Sequence, residues 1–168
     1  MSALVEKGYG MSALVGKAGE ALVAAELMRR GVNVAYPAYD GGIDLLAYRE
    51  LDFSRVVPIQ IKSRASTGYN FQRSWFRIEG LVLVQVWHIL EKPEFYIFRN
   101  LQDVEEALGA EHCSSESWVT NGGYNVTYPG KNNLERMRPH LDQWDRILDQ
   151  LPSSNVMPSD QDTTVRQA

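Results

Sequence analysis

Gly41-Gly42-Ile43-Asp44-Leu45-Leu46 and, after a short turn, Val57-Pro58-Ile59-Gln60-Ile61-Lys62-Ser63 read as two apolar strands carrying an acid and then a Gln-x-Lys pair. Alternate side chains of a strand share a face. Gln60 and Lys62 therefore point one way, and Ile59 and Ile61 point into the opposite, core-like face. A lysine among apolar residues is expensive to half-bury and normally has a partner. Asp44, the lone acid in its run, is the candidate. An acid, an amide oxygen and an amine meeting at strand ends are the equipment of metal-assisted phosphodiester hydrolysis. Pro58 inside the second strand marks an edge, a bulge or a bend.

Upstream, Ser12 to Arg30 has helical periodicity and Gly31 follows as a stop signal. Leu14, Ala18, Ala21, Leu22, Ala25 and Met28 make one apolar stripe, while Glu20 lies off it beside Ala24 and Leu27. The plain reading of Glu20 is a surface acid paired with Lys17 or Arg29. Val32 to Tyr36 is a strand cut by Pro37, and Asp40-Gly41-Gly42 is a turn. Downstream, Leu81 to Trp87 is apolar on both faces except at Gln85, as in a buried central strand. Glu94 to Arg99 alternates, and Asn100 can cap a helix over Leu101 to Leu108. Asn121-Gly122-Gly123 suggests a hairpin within Trp118 to Tyr128. Leu134, Met137, Leu141, Trp144, Ile147, Leu148 and Leu151 give a closing helix, with Pro139 either kinking it or opening it.

The order of motifs resembles a known family. Gly16-Lys17-Ala18-Gly19-Glu20 on a helix, then Gly42-Ile43-Asp44, then Gln60-Ile61-Lys62, is similar to the PD-(D/E)xK nuclease superfamily. The branch it resembles is that of Mrr-type restriction enzymes and archaeal Holliday-junction resolvases. The resemblance covers residues 16 to 63. Most of the superfamily has Glu or Asp where this chain has Gln60, and the Mrr-like branch shares the Gln. The resemblance implies a restriction-endonuclease-like α/β fold, a single domain with a central mixed β-sheet flanked by helices. It also implies a metal-dependent endonuclease acting on DNA in repair, recombination or restriction.

In that reading Asp44 is the central ligand of Mg²⁺ or Mn²⁺. Gln60 offers a neutral amide oxygen, the Ile61 carbonyl adds a ligand, and Glu20 completes the shell or holds a water. Lys62 orients the attacking water and stabilises developing negative charge. Asp40 is an optional further acid whose simpler role is in the turn.

The chain has 168 residues, enough for one domain with a real core; 44% are apolar and 23% charged. The domain is expected over 11–151, with a poorly ordered N-terminal extension over 1–10 and a polar, disordered tail over 152–168. Met1-Ser2-Ala3-Leu4-Val5 recurs as Met11-Ser12-Ala13-Leu14-Val15, which suggests a local duplication or a start at Met11. The single Cys113 excludes an internal disulfide and suits the cytoplasm. His88, His112 and His140 show no zinc spacing. No apolar run is long enough for a membrane span, and the opening residues lack the pattern of a secretory leader.

A net charge of −4 argues against strong nonspecific binding of nucleic acid. From Ile59 to Ile78, however, there is no acid, and Lys62, Arg64, Arg73 and Arg77 give +4, leaving −8 for the rest. Tyr69, Phe71, Trp75 and Phe76 are interleaved. Ser63, Arg64, Arg73, Trp75 and Arg77 are thus candidates for DNA contacts; alternatively the aromatics are core and the arginines solvated. A homodimer would double the basic surface. The competing function is a nuclease-like module, weak or inactive in catalysis, that binds DNA or a protein partner; a weaker one is a structural subunit of a nucleic-acid-processing complex.

Overall fold

The computed structural model describes residues 7–39, 41–49 and 52–152. Asp40, the first six residues of the expected extension and the tail beyond Pro152 lie outside the described residues. Helix α1 (Lys7–Arg29) begins ahead of the expected Ser12 and stops where Gly31 adopts a positive φ of 72°. Its buried side is not the Leu14–Met28 stripe. Gly19, Val23, Ala24 and Leu27 are buried, whereas Leu14 and Met28 are 67% and 55% exposed. Gly19 explains the choice. A Cβ built there would lie 1.6 Å from Ser63 Oγ and 2.6 Å from Ser63 Cβ, so only a glycine lets the helix backbone approach so closely. The side of α1 that carries Gly19 is the side that meets the sheet.

Strands β1 (Asn33–Ala35), β2 (Leu45–Arg49) and β3 (Asp52–Ser63) follow, then β4 (Tyr69–Gln72) and a 3-10 turn over Arg73–Arg77. Next come β5 (Val82–Trp87), β6 (Glu94–Phe98) and the helices α2 (Leu101–Leu108), α3 (Ala110–Cys113) and α4 (Glu116–Asn121). The chain closes with β7 (Gly123–Val126), α5 (Lys131–Met137), a 3-10 turn over Arg138–His140 and α6 (Asp145–Leu148). The main sheet has five strands in the order β1-β2-β3-β5-β6. Only β3 and β5 run parallel, Ile59 facing Val82 and Lys62 facing Gln85. The other neighbours are antiparallel, so the sheet is mixed.

Strand parity sorts the side chains onto two layers. Val57, Ile59, Ile61, Leu45, Ala47, Val82, Val84 and Val86 pack with Val23, Ala24 and Leu27 of α1 and with Trp144 and Ile147. Leu83, Trp87, Tyr96 and Phe98 pack on the other face with Val104, Ala107 and Leu108 of α2, together with Tyr69, Phe71 and Trp118. Each fully buried aliphatic side chain contributes about 1.5–3 kcal/mol. This is an α/β domain whose mixed central sheet is flanked by helices, as expected. Strand β5, buried at every position, is the central strand expected from its apolar run.

Two elements differ from the sequence expectation. Trp118 to Tyr128 is no hairpin: α4 ends at Gly122, which takes a left-handed φ of 69°, and β7 pairs with β4 instead. Asn-Gly suits a helix C-cap as well as a turn, and Ser115, which accepts from Trp118 N, starts the helix. The closing helix is broken into α5 and α6, with Pro139 in the first turn of the intervening 3-10 segment. Pro58 sits at an edge. Ile59 O accepts from Asp44 N, so the missing Pro58 N–H falls on the side away from β2, before the β5 pairing begins at Ile59.

Below the second layer lies a buried polar cluster. His140, 2% exposed, accepts a hydrogen bond at Nδ1 from Arg146 Nη1 at 2.6 Å and stacks on Phe98. Arg146 also reaches Asp103 at 3.2 Å. Burial, then the neighbouring Arg146 cation, pushes the His140 pKa down to about 4, against a mild upward pull from Asp103 and Glu106. The unfolded chain takes up the His140 proton near pH 6.5, the folded chain only near 4. Stability from this residue is therefore complete above about 6.5 and lost as pH falls towards 4, by at most about 3 kcal/mol. His140→Asn, which keeps an acceptor but cannot titrate there, should flatten the acid limb of a denaturant-midpoint profile. An unchanged limb would show that His140 does not govern it.

Candidate active site

Asp44 precedes β2 and stands across from Gln60, one position beyond the Leu45–Ile59 pair. Leu45 and Ala47 face α1, so Asp44 faces the opposite layer, with Gln60 and Lys62. Alternation required Gln60 and Lys62 to share one face, and the register of β2 against β3 brings Asp44 to it. Asp44 Oδ2 accepts from Ile61 N at 2.5 Å and from Gln60 Nε2. Strand β2 begins only at Leu45, so the polar backbone groups of Ile61 face an edge that β2 does not cover. The Asp44 carboxylate takes the place of the next strand. Gln60 Nε2 also lies 3.5 Å from Ile61 O.

A carboxylate, a side-chain amide and a peptide carbonyl thus lie at hydrogen-bonding separations around one point. That donor set fits a hard divalent cation, which takes oxygen ligands and, for Mg²⁺, one or two protein carboxylates completed by water. Here Nε2 faces the carboxylate; a half-turn of the terminal torsion presents Oε1 without moving the backbone. Gly42, at φ 88°, leaves room beside that oxygen, since a Cβ there would lie 3.6 Å from Gln60 Oε1. Gln60 is 2% exposed and so held in place. Among the described residues no three His, Cys, Asp or Glu side chains gather as a metal cluster. Neutral oxygens would have to supply most of the shell.

Glu20 is placed differently. Its carboxylate is bound by Lys17 Nζ at 2.7 Å, one turn back on α1, and makes no hydrogen bond to Asp44, Gln60 or Lys62. Its side chain is 13% exposed, on the packed side of the helix, and Gly19 beside it touches Ser63 at the end of β3. Ser63 turns its Oγ towards α1, where it is buried without a hydrogen-bond partner.

Lys62 opens into a cleft of about 540 Å³ beyond the end of β3, lined also by Met11, Ser12, Val15, Arg64 and Asn70. Its Nζ stands 5.2 Å from the centre of the Trp75 ring, a cation–π distance. Arg64 is tied through Nη2 to Asn125 Oδ1 at 2.5 Å, and partial burial pulls its pKa below the usual arginine value. Arg73 and Arg77 are exposed on the 3-10 turn, while Trp75 is half-buried. Tyr69 and Phe71 are fully buried and belong to the second core. For those two aromatics the core alternative holds.

Gln85 had no role beyond being the exception in an apolar strand. It is fully buried, faces Lys62 across the parallel pairing, and donates through Nε2 to Asn70 O, while its Oε1 has no hydrogen-bond partner. It fixes the start of β4 against β5, the strand paired with the one that carries Lys62. A buried amide in a strand otherwise made of Val, Leu and Trp was the available signal.

No helix among the described residues is long and apolar enough to cross a membrane. No family model and no curated protein matches the chain. Among solved structures, it is similar to the bacterial homing endonuclease I-Ssp6803I, at 18% identity and a TM-score of 0.49, over 82% of this chain and 92% of that one. A likeness at that level assigns no residue a role and places the chain in no family.

Proposed function

We propose that the protein is a divalent-metal-dependent endonuclease of DNA. The observation that carries this reading is the meeting of Asp44, the Gln60 amide and the Ile61 peptide at an open strand edge, with Lys62 on the same face. Asp44 Oδ, Gln60 Oε1 and Ile61 O would hold Mg²⁺ or Mn²⁺, which when bound neutralises charge at the scissile phosphate and makes water more acidic. Asp44 supplies the one formal negative charge and is oriented by Ile61 N–H. Gln60 turns its amide oxygen inward and adds no charge. Lys62 presents ammonium donors to the water and to phosphate oxygens, where negative charge develops. The Trp75 face limits where that ammonium can go. Glu20 is assigned a supporting role: released from Lys17, it would hold a water at the α1 side of the shell.

The test is a panel of labelled duplex, branched, nicked and single-stranded DNA incubated with Mg²⁺ or Mn²⁺. Cleavage that chelation abolishes is expected. Absence of cleavage in every form favours the alternative, a module that binds DNA or a protein partner.

Gln60→Glu tests the shell directly. Replacing the amide by a second carboxylate should tighten metal binding by roughly tenfold, seen by calorimetric titration. The same change removes the Nε2 donor and places two like charges together, so the metal-free variant should melt at a lower temperature. Unchanged affinity would take Gln60 out of the shell.

A further inference from the structure

The 3-10 turn that presents Trp75 to Lys62 turns its other side to a separate groove. Arg73, Arg77 and Arg99 line it, with Asn100 and Asn121, and its volume is about 740 Å³. Arg99 comes from the end of β6, outside the basic stretch of the sequence. Glu79 is the one carboxylate in the lining, so the three guanidinium groups leave a charge of +2.

The arginines are arranged, not merely present. Arg73 N donates to Gly122 O at 2.7 Å, and its aliphatic stem lies along Gly122, where a Cβ would come within 3.6 Å of it. Its guanidinium carbon is 5.9 Å from the centre of the buried Trp118 ring. Among the described residues neither Arg73 nor Arg77 forms an ion pair. Arg99 is 54% exposed, and its guanidinium is 3.8 Å from Asp103, beyond hydrogen-bonding distance. Asp103 Oδ2 already accepts from Arg99 N at 2.7 Å and pairs with Arg146 at 3.2 Å. The Asn100 carbonyl oxygen caps Asp103 N, which leaves its NH₂ as the group able to donate into the groove. Two guanidinium groups with no ion pair among the described residues, and a third held only loosely by Asp103 at 3.8 Å, are interspersed with amide donors and match the oxygens of successive phosphodiesters.

We propose that this groove is a second anion-binding site, one that seats the sugar–phosphate backbone of DNA beyond the bond facing Lys62, with Trp75 between the two. Taking the polyanion to be DNA rests on the nuclease reading; the anion site itself does not. The groove contributes affinity and register, and the Asp44–Gln60–Lys62 site contributes chemistry.

The experiment measures binding of a labelled duplex in chelator, where no metal-dependent cleavage occurs, across a series of salt concentrations. The variant Arg73→Gln/Arg77→Gln/Arg99→Gln is compared with Lys92→Gln/Lys131→Gln/Arg138→Gln, which removes the same charge from exposed positions outside the groove lining. The groove variant should bind at least tenfold more weakly, and its log–log salt slope should fall by roughly two to three. The control should keep the wild-type slope. An unchanged slope in the groove variant, an equal fall in the control, or no binding by the wild type overturns the proposal. A lowered slope in a protein that cleaves none of the DNA panel leaves the groove standing and removes the nuclease reading instead.

Discussion

Asp44→Ala is expected to lower metal-dependent cleavage of DNA by roughly a thousandfold or more, the rate equivalent of the several kcal/mol a bound cation supplies to a phosphoryl transition state. Asp44 is the one carboxylate in the donor set, so its loss leaves two neutral oxygens that hold Mg²⁺ poorly. Lys62→Ala should cost about a hundredfold to a thousandfold, as for a lost donor to developing charge. The double variant should be little worse than Asp44→Ala alone, because the two act as a unit. Asp44 also stands where a strand neighbour would, accepting from Ile61 N. Alanine leaves that N–H unpaired, so the melting temperature must be measured beside the rate. Asp44→Asn separates the effects: it keeps an acceptor for Ile61 N and removes the charge. A cleaving Asp44→Asn protein, or a wild-type rate in Asp44→Ala, would remove Asp44 from the chemistry.

The two glycines of Gly16-Lys17-Ala18-Gly19 should respond to alanine with opposite signs. In a helix interior, Gly→Ala is worth about 1 kcal/mol of stabilisation. At Gly16 nothing lies within 4 Å of the new Cβ, so Gly16→Ala should gain that amount. At Gly19 the new Cβ would meet Ser63 Cβ at 2.6 Å as well as its Oγ at 1.6 Å. Rotating the serine relieves the second clash only. Helix α1 must move off β3, and Gly19→Ala should lose about 1–3 kcal/mol net, as overpacked cores do. Ser63→Gly in the same chain removes both atoms and should restore most of the loss. A Gly19→Ala protein as stable as the wild type in denaturant would mean that α1 does not rest on Ser63.

These glycines also show where the sequence was readable and where it was not. That Gln60 and Lys62 share a face followed from strand alternation, because a period of two leaves no choice once Ile59 and Ile61 are core; Asp44 joins them through the register of β2 against β3. Helix α1 offered apolar residues on two sides, and counting them favoured the stripe that in fact faces solvent. Backbone clearance at Gly19 decided the matter, and no hydrophobic count contains clearance. Asn121-Gly122 was ambiguous because a left-handed glycine serves a hairpin and a helix C-cap equally, leaving Ser115 as the only local cue. The arginine groove was half visible. Arg73 and Arg77 stood out in an acid-free stretch, but Arg99 joins them through the pairing of β5 with β6, a tertiary fact. Glu20 stood out in the motif, yet its packing leaves it bound to Lys17.

Pro58 carries a consequence for encounters between molecules. The stretch of β3 before Ile59 has β2 on one side and is not yet paired with β5 on the other. A strand flank with no β partner among the described residues is the kind that can template a strand from a second chain. At residue 58 the group such a strand would need, a backbone N–H on that side, does not exist. Arg55, exposed on the same stretch, adds a charge to the approach. The residue that interrupts the donor pattern of β3 therefore guards against intermolecular strand addition, two positions from the side chain that lines the candidate metal site.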